Sequence, residues 1–308
     1  MNNVAIETKD LTRRFGKFTA VDKVNFSIYY GEIFGFLGAN GAGKSTTIRM
    51  LCGILEPSEG TAAVAGFDVN RQPEQVKTAI GYVSQRFSLY NDLTVDENLQ
   101  FYGEIYGITG AALKERMDEV TKLIDLASWR THLAGELSGG MKQKLALATA
   151  ILHKPRILFL DEPTAGVDPL SRRALWEHLY QIADGGVALF VTTHYMEEAE
   201  RCNQIAFISK GQILEIGQPA DLRNQVTGKL LEVECRPLMK ASHYFQKIPD
   251  VTGITVYGTT LHLNVKEEAS VQSAVLRVAK EQQIEIISIK PIAASLEDVF
   301  ATLTEPEK

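Results

Sequence analysis

Apolar and polar residues alternate through VAIETKDLTRRF (residues 4–15) and VDKVNFSIYYGEIFGFLG (residues 21–38), with turn residues at Gly16-Lys17 and Tyr30-Gly31. A period of two puts successive side chains on opposite faces, so short strands are expected over residues 4–35. The pattern then changes. STTIRMLCGIL (45–55) carries Ile48, Leu51 and Leu55 at helical spacing, and Pro57 to Gly60 reads as a turn. Residues 61–83 are expected to give short strands, AIGYVSQ among them, and Leu89 to Leu152 reads as helical. There Thr94 with Glu97 three residues on predicts a capping box, and Leu113, Met117, Val120, Leu123 and Ile124 line one helix face.

After Pro155, RILFLDEP reads as a buried strand, followed by a helix (SRRALWEHLYQIA), a strand (VALFVTTH), a helix (MEEAERC) and two strands (QIAFISK, QILEIG). Strands alternating with helices imply a mostly parallel sheet. Near residues 224–229 the character shifts. From LLEVECR to IEIISIK the order is strand, helix, strand, strand, helix, strand, as in a ferredoxin-like split unit, and ASLEDVFATLT closes it as a helix capped by Ser295. With 308 residues, two domains are expected: 1–225, with a helical subdomain at about 88–152, and 228–308.

Composition narrows the function. Hydrophobic residues make up 45% and charged ones 23%, as in ordinary globular proteins, and the formal net charge of −6 disfavours general nucleic-acid binding. Cys52, Cys202 and Cys235 are far apart, without a CxxC pair, which argues against a zinc site or disulfide framework and fits a reducing cytoplasm. The N-terminal stretch MNNVAIETKDLTRRF does not read as a secretory signal. The longest apolar candidate, LALATAILHKPRILFL, is interrupted by His153, Lys154, Pro155 and Arg156, so no membrane span is expected.

The chemistry concentrates in a few places. Gly38-Ala39-Asn40-Gly41-Ala42-Gly43-Lys44-Ser45-Thr46 fits GxxxxGK[ST] between an apolar strand and a helix. Such a loop wraps phosphates with backbone N–H groups, while Lys44 reaches the outer phosphates and Ser45 offers a hydroxyl to Mg²⁺. Asp161 and Glu162 end the RILFL strand; Asp161 is placed to hold Mg²⁺, and Glu162 to orient or deprotonate a water attacking the γ-phosphate. Gln85 and His194 follow apolar strands, where α/β sites gather, and Phe15 can stack on an adenine ring; each of these types also serves as an ordinary surface or core residue. A second glycine-rich helix mouth, Ser138-Gly139-Gly140, opens ELSGGMKQKLALATAI, and a helix N-terminus of this kind attracts anions.

GANGAGKST, the Gln85 strand, LSGGM, ILFLDEP, AGVD and the His194 strand come in the order seen in ABC ATPase cassettes, which residues 3–222 resemble. The resemblance implies an α/β P-loop NTPase fold, with a mixed core sheet, an antiparallel β subdomain and a helical subdomain, followed by an α+β domain. It implies ATP and Mg²⁺ as ligands. Ser138, Gly139 and Gly140 look like the signature loop, Asp168 like the D-loop acid, His194 like the switch histidine, and Gln85 like the Q-loop residue, with Mg²⁺ shared among Ser45, Gln85 and Asp161. In that family the signature mouth completes the partner's nucleotide site. One phosphate loop and one signature per chain therefore imply a second copy, a homodimer by symmetry.

Met141 stands where LSGGQ is commoner, and LSGGMKQ, LTVDENLQFYGEIYGI and SLEDVFATLT are similar to drug, sodium and glycoconjugate exporters. That branch implies an integral membrane permease as partner and a peripheral place on the cytoplasmic face of the membrane. The rival readings are a soluble cassette protein acting on ribosomes or DNA, and a nucleotide-gated module with little turnover. Relatives of the first kind carry tandem cassettes, a long coiled coil or a zinc module, and none is visible here.

Overall fold

The computed structural model describes residues 3–224 and 229–304. They form two compact units, Met1–Ile216 and Gly217–Lys308. The boundary read from composition, between 225 and 228, falls on residues outside those described.

In the first unit β1 (Val4–Phe15) and β2 (Phe18–Tyr29) form a hairpin, and β3 (Ile33–Leu37) leads into α1 (Lys44–Leu51). β4 (Glu59–Val64), β5 (Phe67–Asp68), α2 (Pro73–Ala79) and β6 (Ile80–Val83) follow. Helix α2 corrects the all-strand expectation for residues 61–83. Only Val76 of its seven residues is buried, so it leaves no apolar period; Pro73 at its first turn was the usable signal. Then come α3 (Val95–Ile105), α4 (Gly110–Leu123) and α5 (Gly139–Ile151), with one-turn helices at 127–129 and 134–136. β7 (Ile157–Asp161), α6 (Pro169–Asp184), β8 (Ala188–Thr193), α7 (Met196–Ala199), β9 (Gln204–Ser209) and β10 (Gln212–Gly217) complete it.

Two sheets result. One runs β2-β1-β4-β5 and is antiparallel. The other runs β10-β9-β3-β8-β7-β6 and is parallel from β9 to β6. Every residue of β3, β7 and β8 is buried, as expected of parallel strands covered on both faces, which explains their continuous apolar runs. Phe26 of β2 meets Phe34 and Phe36 of β3 and Phe190 of β8, with centroids 5.3–5.9 Å apart. Such pairs contribute about 0.5–1.5 kcal/mol each beyond area burial and fasten one sheet on the other.

The capping box at α3 is present: Glu97 N–H donates to Thr94 Oγ1, and Thr94 N–H to Glu97 Oε2 at 2.7 Å. Asn98 beside it is fully buried and bonds its amide to the carbonyls of Tyr90, Leu93 and Thr94, while Tyr90 N–H donates to its Oδ1. That side chain fixes the loop between β6 and α3. Cys52, Cys202 and Cys235 are buried and unpaired. Burial pushes the first two thiols well above the usual range and Cys235 up to about 11. Among the described residues no helix is long and apolar enough to cross a membrane.

The second unit opens with α8 (Pro219–Asn224), which packs on the last helix, α11 (Leu296–Thr304). Between them lie β11 (Lys229–Arg236), α9 (Leu238–Phe245), β12 (Val251–Tyr257), β13 (Thr260–Val265), α10 (Glu268–Glu281) and β14 (Glu285–Ile292). The antiparallel order β12-β13-β11-β14 is that of the split unit expected from the alternation. Leu231, Val233, Leu261 and Leu263 pack in one core with Phe245 of α9 and Val271 and Val275 of α10. Glu232, opposite both His262 and Lys290, alternates with those core positions. Asp298 of α11 bonds His262 Nδ1 at 3.0 Å, and Ser295 caps the helix.

Candidate functional site

The polar residues singled out above converge at the C-terminal ends of the parallel strands, where open α/β sheets place ligands. The loop after β3 turns on glycines that nothing else can replace. A Cβ on Gly38 would lie 2.3 Å from the Ile208 carbonyl oxygen. Gly43 has φ 115, and a Cβ there would sit 2.7 Å from the Ala20 oxygen. The loop therefore feeds directly into α1 with its first N–H groups unblocked by side chains. Gly43 serves as the cap residue of α1 without any side-chain cap.

Lys44 is 5% exposed. Its Nζ donates to the Gly38 carbonyl at 2.8 Å and lies 3.2 Å from Glu162 Oε1. Glu162 also accepts from Gln85 Nε2 at 2.9 Å and faces His194 Nδ1 at 3.2 Å, both through Oε2. Lys44 at the start of α1, Gln85 after β6 and His194 after β8 thus meet around the one carboxylate of Glu162, which follows β7. Glu162 itself has φ 49, a left-handed backbone uncommon for a side-chain-bearing residue, fixed by its N–H bonding Thr192 O and Oγ1 at 3.1 and 3.0 Å.

Asp161 is buried, accepts from Thr192 Oγ1 at 2.7 Å, and lies 3.5 Å from Ser45 Oγ. Burial first, then the Asp161 charge, pushes the Tyr82 hydroxyl up to about 12. A hydroxyl beside a carboxylate is an all-oxygen donor set suited to a hard cation such as Mg²⁺, which is usually held by one or two protein groups and shared with phosphates. No cluster of three or more His, Cys, Asp or Glu residues that could hold a metal occurs among the described residues. Gln85 turns its amide to Glu162 rather than to this pair.

A cavity of about 460 Å³ opens beside the loop, lined by Phe15, Phe18, Asn40, Gly41, Gly43, Lys44, Ser45, Thr46, Gln85 and Glu162, with Ala20. Gly38, Ala39 and Ala42 shape the loop without lining the cavity. Phe15 and Phe18 face each other across the β1–β2 turn. The Arg13 guanidinium covers the Phe15 ring at 4.6 Å. Phe18 is 64% exposed and escaped the sequence reading.

Ser138, Gly139, Gly140 and Asp168 do not line this cavity. Ser138 Oγ caps α5, accepting from Met141 N–H at 3.3 Å, and Asp168 caps α6, accepting from Ser171 N–H at 3.0 Å. Hydrogen bonding to Ser171 holds the Asp168 carboxyl below the usual carboxylate range. The two caps adjoin, since a Cβ on Gly140 would lie 2.5 Å from Ser171 Cβ. The phosphate loop with its cavity and the α5 mouth beside Asp168 are therefore separate places in the chain.

Comparison with known proteins identifies the family. Residues 21–165 match the ABC transporter family model, and residues 217–304 match the C-terminal domain of DrrA1-3-like ATP-binding proteins. The linearmycin resistance ATP-binding protein LnrL of Bacillus subtilis (strain 168) is 33% identical over 97% of this chain and 98% of its own length. The chain belongs to the ABC transporter family. Its first unit is an ABC ATPase cassette, and its second is a DrrA1-3-like C-terminal domain. The probable multidrug ABC transporter ATP-binding protein YbhF of Escherichia coli (strain K12) is 48% identical over 71% of this ABC chain, which spans only 38% of that relative. Among solved structures, the ATP-binding cassette MJ0796, in a dimeric post-hydrolysis state bound to ADP and Pi, superimposes with TM-score 0.63 at 25% identity. That match covers 69% of this chain and 98% of MJ0796.

Proposed function

We propose that the chain hydrolyses ATP as a head-to-tail pair of copies and so drives export through a separate membrane permease, on whose cytoplasmic side it docks. The observation that carries this reading is the division of labour within one copy. Lys44, Gln85, Glu162 and His194 meet at the phosphate loop, whereas the Ser138 mouth lies outside that cavity. A site closed by the mouth of a second copy accounts for both. Relatives named for multidrug transport and linearmycin resistance support export as the direction of transport.

In this mechanism the loop N–H groups and α1 cradle the phosphates, and Lys44 leaves Glu162 to pair with the outer ones. Glu162, released from Lys44, accepts a proton from the attacking water, and His194 steadies the γ-phosphate. Ser45 and Asp161, with Gln85 swung toward them, would hold Mg²⁺, which neutralises charge on the phosphate oxygens when bound. Phe15 and Phe18 pack against the base, Asn40 and Thr46 contact phosphates, and Asp168 passes the state of one site to the other. The Ser138 hydroxyl and the Gly139 and Gly140 N–H groups complete the partner's site, with the α5 dipole aimed at its terminal phosphate. ATP thus favours the closed pair only through contacts absent from the open one.

Complementation tests this. Lys44→Ala and Ser138→Ala should each abolish turnover alone. Mixing them should restore part of it, because one mixed site joins an intact Lys44 to an intact Ser138. A mixture as inactive as its parts overturns the shared-site reading. The export reading predicts that the chain copurifies with a multi-span membrane protein from detergent-solubilised membranes, and purely soluble recovery counts against it.

A further inference from the structure

Helix α7, directly after His194, carries two adjacent acids, Glu197 and Glu198, of which Glu198 is only 1% exposed. Its Oε2 accepts from Thr193 Oγ1 at 2.6 Å, and its Oε1 accepts from Thr164 Oγ1. Arg172 Nε stands 3.7 Å from Oε1, and the same guanidinium lies 4.5 Å over the Tyr195 ring. Thr193 Oγ1 in turn accepts from Tyr195 N–H at 3.0 Å.

These partners belong to three different segments. Thr164 lies two residues after Glu162, Thr193 and Tyr195 flank His194, and Arg172 sits on the first turn of α6 behind Asp168. A single carboxylate therefore ties together the three places from which the proposed base, switch histidine and D-loop acid project. Burying a carboxylate is costly unless it is fully partnered, and an apolar residue of similar volume commonly serves stability as well or better. Glu162 supplies the need for such a tie. Its left-handed backbone persists only where the surroundings over-determine it, and the Thr164–Glu198 contact anchors the turn that follows.

We propose that Glu198 is a positioning residue for ATP hydrolysis, a buried strut that holds Glu162 and His194 in register and couples them to Asp168. The role rests on the ATPase reading above. Glu198 touches neither the cavity nor the phosphate loop, so its loss leaves nucleotide binding in place and misplaces the groups that act on water and the γ-phosphate. Misplacement by an ångström costs up to about 100-fold in rate.

The test compares Glu198→Ala, Glu198→Gln and Thr164→Val with wild type for ATP affinity, kcat and melting temperature, and adds Glu198→Ala to a His194→Ala background. For Glu198→Ala, kcat should fall about 10- to 100-fold while ATP affinity stays within about threefold. Glu198→Gln, which can still bond both hydroxyls, should recover most of the rate, and Thr164→Val, which keeps the acid, should show a smaller loss in kcat alone. In the His194→Ala background the further loss should shrink to about threefold or less, because the strut has lost one of the groups it aligns. An unchanged kcat in Glu198→Ala overturns the proposal. So does a parallel fall of kcat and ATP affinity with melting temperature, or a loss that simply multiplies with that of His194→Ala. Should Glu198→Ala fail to fold, Thr164→Val alone decides by the same split. A wild-type protein that binds ATP without turnover at any concentration overturns the ATPase reading itself, and the strut with it; normal wild-type turnover with an indifferent Glu198→Ala overturns only the strut.

Discussion

Replacing Glu162 with Gln should make the protein bind ATP more tightly while nearly stopping its hydrolysis. In the structure Lys44 and Glu162 form an ion pair with side chains only 5% and 8% exposed, and Lys44 must leave it to reach a phosphate. A hydrogen bond to a charged group contributes about 1.5–3 kcal/mol. Removing the carboxylate charge therefore removes a competitor of that order, and also the repulsion between Glu162 and the incoming phosphates. At 1.4 kcal/mol per tenfold, the apparent Kd for ATP should fall by about tenfold or more. Loss of a general base lowers the rate by about 10²- to 10⁴-fold. Equilibrium titration with a fluorescent ATP analogue and a phosphate-release assay, both in magnesium buffer, read the two effects separately. Thermal melting adds a third reading: the nucleotide-free variant should melt below wild type, because Lys44 loses its counter-ion, and the ATP-bound variant above it. Unchanged affinity would refute the competition between Glu162 and phosphate, and turnover within threefold of wild type would refute the base.

Further outcomes follow from other parts of the molecule. Asn98→Ala should destabilise the first unit by about 1–3 kcal/mol, because it strands the buried polar groups of the loop before α3; a denaturant midpoint equal to wild type contradicts the bonding seen there. Phe18→Ala should weaken ATP binding by about 1–3 kcal/mol, the usual value of base stacking on an aromatic ring, without changing the affinity for inorganic triphosphate. Burial lowers the pKa of His153 and of His178, so the folded protein resists their protonation. The unfolded chain then takes up more protons, so the stability from this source is full above pH about 6.5 and is lost as pH falls from there through the depressed folded values. Melting curves from pH 7.5 to 5 should show that decline, and the double variant His153→Gln, His178→Gln should flatten it.

Much of the fold was legible because its strands are either alternating or continuously apolar, and because the phosphate loop carries an unambiguous spacing. Lys44, Glu162, Gln85 and His194 could be named individually, since each follows a strand whose end is visible in the sequence. What pattern could not supply was which polar residues the tertiary structure buries. Glu197 and Glu198 look alike in MEEAERC, and only Thr164 and Thr193, far apart in sequence, distinguish them. Asn98 is hidden in the same way inside an otherwise ordinary amphipathic helix. Phe18 carried the signal of any strand phenylalanine, and only its exposure beside the cavity sets it apart. Helix α2 was missed because a seven-residue helix with one buried side chain has no period to read.

The concealment of all three thiols makes the wild-type chain a quiet background for chemical labelling. With burial holding Cys52, Cys202 and Cys235 in the unreactive protonated form, a maleimide or spin label should ignore the native protein. A cysteine introduced at Leu170, 82% exposed next to the Asp168 cap, would then be the sole handle, and the distance between two such handles in the proposed pair of copies could be followed as nucleotide is bound and spent.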